Sequence, residues 1–254
     1  MKLERFHLRN LSLSIRHAHG CVVKPTLSHT VSRYPTQSEL RLMPVGGSVT
    51  HGVGSSTQNG YREPLLKLLQ SQGTNIRMVG SRRTGNFENN HHEGWRGFRI
   101  DQIETKARRA TERFLPHVVT LYAGSNDCLQ DFKLIEAANR ISHLTDTIWQ
   151  LSPGCTIILS SLLINREPTV DQRIQALNTE IQALTCRKAS EGRRIVFVNM
   201  HGDQGPILED LVEDGTHPND EGYQKMAKIW FHGIRGAISK GLIQSTSQSN
   251  EAKK

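Results

Sequence analysis

Four short segments of this 254-residue chain gather the residue types that acyl transfer requires. They are Gly46-Gly47-Ser48-Val49-Thr50, Glu93-Gly94-Trp95-Arg96-Gly97, Gly124-Ser125-Asn126-Asp127 and Asp214-Gly215-Thr216-His217. Together they supply a serine hydroxyl, glycine backbone N–H groups, an asparagine amide and an Asp/His pair. Taken singly, each has a plain reading: a serine after two glycines is a turn, Asn126 a strand-end cap, Asp214-Gly215 a turn pair, and His217 an exposed histidine beside Pro218. Their joint occurrence favours chemistry.

Elements able to position these segments are legible between them. Short apolar or β-branched runs near residues 40–45, 75–79, 117–122, 156–160 and 195–199 read as five strands. Segments of helical period alternate with them. Pro64, Leu65, Leu68 and Leu69 form one stripe; Ile135, Ala138, Ile141, Leu144, Ile148 and Leu151 form another; Val170, Ile174, Leu177, Ile181 and Leu184 form a third. A last helix is expected after His217-Pro218. Such alternation builds a parallel sheet covered by helices on both faces, and ligands bind outside the carboxyl ends of its strands. Segments one and three follow predicted strands, and segment four precedes the last helix. Residues 81–97, rich in Gly, Asn, His and Arg, read as a long loop, either functional or disordered.

Composition bounds the rest. With 36% hydrophobic and 22% charged residues the chain suits one core. No apolar run approaches the roughly 18 residues of a membrane span. Net charge is +8, but the basic residues fall into the pairs Arg82-Arg83, Arg108-Arg109 and Arg193-Arg194 with no nucleic-acid-binding module, so no nucleic-acid partner is expected. The four cysteines (Cys21, Cys128, Cys155, Cys186) include no Cys-x-x-Cys pair and allow three disulfide pairings, none deducible. Residues 1–39 carry six Lys/Arg against two acids and read as a disordered basic extension, with a loose likeness to a mitochondrial transit peptide. Residues 244–254 read as a polar tail. Without an evident signal peptide, an intracellular setting is preferred to a secreted one unless the start is mis-assigned.

The four ordered segments, with the strings LRLMPVGGSVTHGVGSS, NGYREPLLKLL, HEGWRGFRIDQI, AGSNDCLQDF and DGTHPNDEGYQKMA, resemble the signature blocks of the SGNH hydrolases, the GDSL esterase/lipase superfamily, over about residues 40–240. Within it they are most similar to fungal members akin to carbohydrate esterase family 3. The resemblance implies a flavodoxin-like three-layer α/β/α sandwich on a five-stranded parallel sheet, occupying residues 40–243. It implies Ser48 as nucleophile, His217 as base and Asp214 as the residue orienting it. The oxyanion hole would be the Ser48 N–H, the Gly97 N–H and the Asn126 amide, with Gly94 a rival to Gly97. Neither cofactor nor metal is implied. One departure stands out: Gly47 replaces the usual Asp of Gly-Asp-Ser, which puts the rigidity of the nucleophile turn in question.

The expected activity is therefore serine-dependent hydrolysis of a carboxylic, chiefly acetyl, ester on carbohydrate. The alternatives are a broader short-chain esterase and a non-catalytic carbohydrate-binding protein of the same fold. The partner is a small-molecule or polysaccharide ester, and a monomer is preferred. His51, His91 and His92 beside Glu93 lack zinc-ligand spacing. Cys128 reads as a buried small residue and Asp127 as a cap or buttress. Trp95, Phe98 and Tyr61 suit either a sugar platform or the core.

Overall fold

The computed structural model describes residues 39–243; the expected extension, Glu39 apart, and the expected tail lie outside them. The elements run β1 (Leu40–Gly46), α1 (Ser48–His51), α2 (Arg62–Ser71), β2 (Ile76–Met78), β3 (Arg82–Arg83), β4 (His91–Gly94), α3 (Ile100–Phe114), β5 (Val118–Tyr122), α4 (Ser125–Leu129), α5 (Ala137–Leu151), β6 (Thr156–Ser160), α6 (Pro168–Ser190), β7 (Ile195–Val198) and α7 (Asp220–Ser239). Helices α2 and α7 pack together on one face of the sheet, and α3, α5 and α6 on the other. This is the three-layer α/β/α fold expected.

The parallel order β1-β5-β6-β7 is completed beyond β1 by two strands sharing one edge. β2 pairs with Leu40 to Leu42, and β4 pairs with Val45 and Gly46. Pro44 sits in this central strand because of that division. Leu40 N–H donates to Asn75 O (2.9 Å), while Leu42 O and Gly46 O accept from Val79 N (2.8 Å) and Trp95 N (2.9 Å), so the even residues of β1 face the shared edge. Pro44, in phase with them, places its missing N–H in the gap between β2 and β4, where no ladder bond is forfeited.

All five predicted strands are present, and the 81–97 segment adds two more. β3 pairs antiparallel with β4, with Arg82 opposite His92 and Arg83 opposite His91. Neither strand shows apolar alternation, because the buried residues His92 and Glu93 are polar and satisfied by side-chain bonds. The third stripe is buried throughout on α6. Ile135 departs from the second: it lies in a 3-10 turn, Leu134–Glu136, that rotates it off the α5 stripe and leaves it 99% exposed. The last helix starts after His217-Pro218 as expected, at Asp220, where the Asn219 side chain caps Gly222 N (3.0 Å); Pro218 lies outside its first turn, bridged to Leu211.

Candidate active site

β1 and β5 flank the point where strand order reverses, so their carboxyl ends diverge and leave a crevice. Ser48 follows β1 and is the first residue of α1, so its N–H has no intrahelical acceptor. Gly47 O accepts from His51 N (3.1 Å) and Ser48 O from Gly52 N (3.0 Å), which pins the turn. Gly47 has φ −94° and ψ −142°, and a Cβ there would make only ordinary contacts, the nearest with Asn126 Nδ2 at 3.4 Å, so the turn has room for the side chain that Gly47 lacks.

Opposite lies the loop of residues 211–219. It is a small closed hairpin: Val212 N donates to His217 O (2.9 Å) and Asn219 N to Asp210 O (2.7 Å). Gly215 turns it at φ +68°, packed so closely that a Cβ would lie 2.6 Å from Arg166 Cβ. Arg166 grips the loop from the segment between β6 and α6, with Arg166 N on Gly215 O (2.9 Å) and Nη1 on Glu213 O (3.0 Å); Asn165 Nδ2 donates to Thr216 Oγ1 (3.0 Å). Asp214 Oδ1 accepts from Thr216 N (2.9 Å) and His217 N (3.0 Å), and its Oδ2 lies 2.6 Å from His217 Nδ1. His217 Nε2 lies 2.7 Å from Ser48 Oγ. Burial pushes the Asp214 carboxyl up, but the bonds from His217 and Thr216 outweigh it and hold it below the usual carboxylate range. A carboxylate fixed on Nδ1 leaves Nε2 as the acceptor for a hydroxyl proton.

Asn126 follows β5 on α4. Its Nδ2 donates to Phe98 O (3.0 Å), which fixes the amide and leaves its second hydrogen without a partner among the described residues. Phe98, Ser48, Asn126, Val49, Ile103 and Tyr122 line a cavity of about 10 Å³. Gly97 adjoins that lining through Phe98, stands exposed at φ +76° and has open space around its Cα. Its rival Gly94 is buried in β4 with its N–H bonded to His92 Nδ1 (2.9 Å).

A profile of the GDSL-like lipase/acylhydrolase family matches residues 45–225, which span all four segments. The chain belongs to this family. A family 3 carbohydrate esterase of Clostridium thermocellum is similar in structure, with a TM-score of 0.72 and 31% identity over 81% of this chain and all of that one. A multidomain esterase of Ruminococcus flavefaciens is 24% identical over 228 residues, and a protein of Acetivibrio thermocellus named putative endoglucanase X is 27% identical over 132 residues. The alignments cover 29% and 56% of those two curated relatives. As a GDSL-family acylhydrolase the chain is a carboxylic ester hydrolase.

Around the site of this GDSL-family protein the other candidate residues have settled roles. Tyr61 is fully buried, its hydroxyl 3.3 Å from Thr50 Oγ1, so it belongs to the core. Trp95 stacks on Phe98 and has Arg82 and Lys106 each 4.4 Å from its ring, while its Nε1 donates to Glu93 (3.0 Å). Glu93 also receives Ser81 N and so ties the start of the insert to the Trp95 loop. Asp127 is a buttress: it accepts from Ile100 N (3.1 Å) at the start of α3 and from Arg140 (2.6 Å). Cys128, Cys155 and Cys186 are free thiols, and burial, reinforced by Asp127, pushes the Cys128 thiol up to about 12. His92 uses both ring nitrogens, on Gly94 N and Thr84 Oγ1 (2.7 Å).

Sequence reading overlooked the supports. Arg166, Asn165 and Glu93 act largely on backbone groups or on residues distant in the chain, so no local spacing betrays them. No helix among the described residues is long and apolar enough to cross a membrane.

Proposed function

We propose that the chain removes small acyl groups, acetyl above all, from carbohydrate esters through a covalent acyl-enzyme on Ser48. The observation that carries this reading is the continuous relay Asp214–His217–Ser48, with contacts of 2.6 and 2.7 Å. Ser48 Oγ attacks the ester carbonyl carbon as its proton passes to His217 Nε2. The carbonyl oxygen becomes an oxyanion received by the Ser48 N–H, the Gly97 N–H and the free hydrogen of the Asn126 amide. The tetrahedral adduct collapses, the alcohol leaves with the proton from Nε2, and Ser48 retains the acyl group. Water then attacks that acyl group, giving its proton to Nε2, and collapse returns the proton to Ser48 Oγ and releases the acid. Asp214 orients the ring and offsets the imidazolium charge.

The cavity of about 10 Å³ beside Ser48 and Asn126 has room for a group no larger than a water molecule or methyl, which supports acetyl over longer chains. Carbohydrate as the alcohol is supported by the likeness to the Clostridium esterase. A fluorophosphonate probe followed by peptide mass spectrometry tests the mechanism: the expected adduct is on Ser48, and it forms neither in Ser48→Ala nor at low pH. Acetate esters should be turned over faster than butyrate esters of the same alcohol, and the reverse order would refute the acyl-size reading.

A further inference from the structure

The catalytic loop shares a wall with a second pocket. Gly54 fits so closely beneath the loop that a Cβ there would lie 3.1 Å from His217 Cβ and closer still to Pro218 O. With Val53, Ser55, Gln58, His51 and Arg96 it encloses a cavity of about 120 Å³. Arg96 immediately precedes Gly97. The lining thus touches the His217 loop through Gly54 and stands next in sequence to Gly97 through Arg96.

Its chemistry is cationic and incompletely partnered. Arg96 is exposed and makes no ion pair or hydrogen bond among the described residues. His51 is 7% exposed, and its Nδ1 is buried without a partner. Next to it Arg62, fully buried, binds only neutral oxygens: His51 O (3.0 Å), Gln58 O (2.7 Å), Asn90 O (3.0 Å), Thr84 O (3.2 Å) and Thr84 Oγ1 (3.0 Å). No carboxylate reaches it among the described residues. Burial, joined by the charges of Arg82, Arg62 and Arg96, pushes His51 down to about 4. None of the residues lining the cavity is acidic, and Asp220, just behind Ser55 and Ser56, is already engaged by Ser56 N (3.0 Å). Surplus positive charge in a concave, partly desolvated site favours an anionic group.

We propose that this pocket is the subsite for the alcohol moiety and that it selects an alcohol carrying a carboxylate, a uronic-acid type of sugar, paired with the Arg96 guanidinium. The assignment of the alcohol rests on the carbohydrate-ester reading above; the anion preference rests on the pocket itself.

Calorimetric titration of the wild-type chain with methyl glucuronoside and with methyl glucoside separates the two, since neither sugar is an ester and neither measurement needs turnover. The uronate should bind at least about tenfold more tightly, by an amount that shrinks as salt is raised. Arg96→Gln should abolish the difference and Arg96→Lys should keep part of it, with unchanged circular dichroism showing that both variants fold. Equal affinity for the two sugars, binding of neither, or a preference that survives Arg96→Gln overturns the proposal. Failure of the Ser48 probe to label would overturn the catalytic reading and leave this binding result standing.

Discussion

The two halves of the site are held by different forces. Ser48 and Asn126 follow β1 and β5, strands whose Leu42, Val45, Val119 and Leu121 side chains are completely buried, each contributing about 1.5–3 kcal/mol through removal from water. Asp214 and His217 ride on a hairpin outside the sheet, fixed by bonds from Arg166, Asn165 and its own backbone, each contributing about 0.5–1.5 kcal/mol. The Ser48 side inherits its position from the core. The His217 side is clipped into place, so its geometry can be disturbed without unfolding the protein.

Mutations can break that comparison or sharpen it. Ser48→Ala should lower kcat by roughly 10⁴-fold or more while leaving the melting temperature almost unchanged, since the core below it is untouched. Retained turnover in the folded variant would end the serine mechanism. Asn126→Ala should lower kcat by about 10²- to 10³-fold with a smaller change in KM, because in the proposed mechanism the amide serves the oxyanion and not the ground-state carbonyl; an effect confined to KM would reassign it to substrate binding.

A pair of variants contrasts the supports directly. Leu121→Ala, beneath the Asn126 turn, should cost about 2–5 kcal/mol in denaturant unfolding. Arg166→Ala should cost under about 1.5 kcal/mol in stability yet reduce kcat about tenfold by loosening the Asp214–His217 loop. Equal stability losses in the two would show that the loop is part of the core after all.

The smallest effect expected is on stability against pH. His51 is pushed down to about 4 and His92 to about 2, in both cases by burial first and neighbouring arginine charge second. In the unfolded chain both take up protons near 6.5. Their contribution to stability is therefore complete above about 6.5 and is lost as the pH falls toward those two folded values. The melting temperature should decline from pH 7 to pH 4, and His92→Gln should flatten that decline. A steeper decline in the variant would contradict the neutral buried histidine.

The same division explains what the sequence disclosed. β1, β5, β6 and the α6 stripe were readable because apolar burial leaves a periodic trace. The meeting of Ser48 with His217, Asp214 and Asn126 was readable because these residue types stand at strand ends and beside a helix start. β3 and β4 left no trace, since His92 and Glu93 are buried through hydrogen bonds, and polar burial has no period. Ile135 was misplaced for a related reason: a stripe does not show where a 3-10 turn breaks its phase.

The gap at Pro44 has a dynamic consequence. Because the ladder beside β1 is already cut there, the pairs of β4 at Val45 and Gly46 are separate from those of β2 at Leu40 to Leu42, and the β3–β4 insert is held besides by Arg62 on Asn90 O and Thr84 and by Thr84 Oγ1 on His51 O. Hydrogen exchange should see β3 and β4 as an opening unit of their own, with the Trp95 amide less protected than that of Val79. The Trp95 to Gly97 loop hangs from this unit, whereas Ser48 follows a strand that keeps its full pairing to β5.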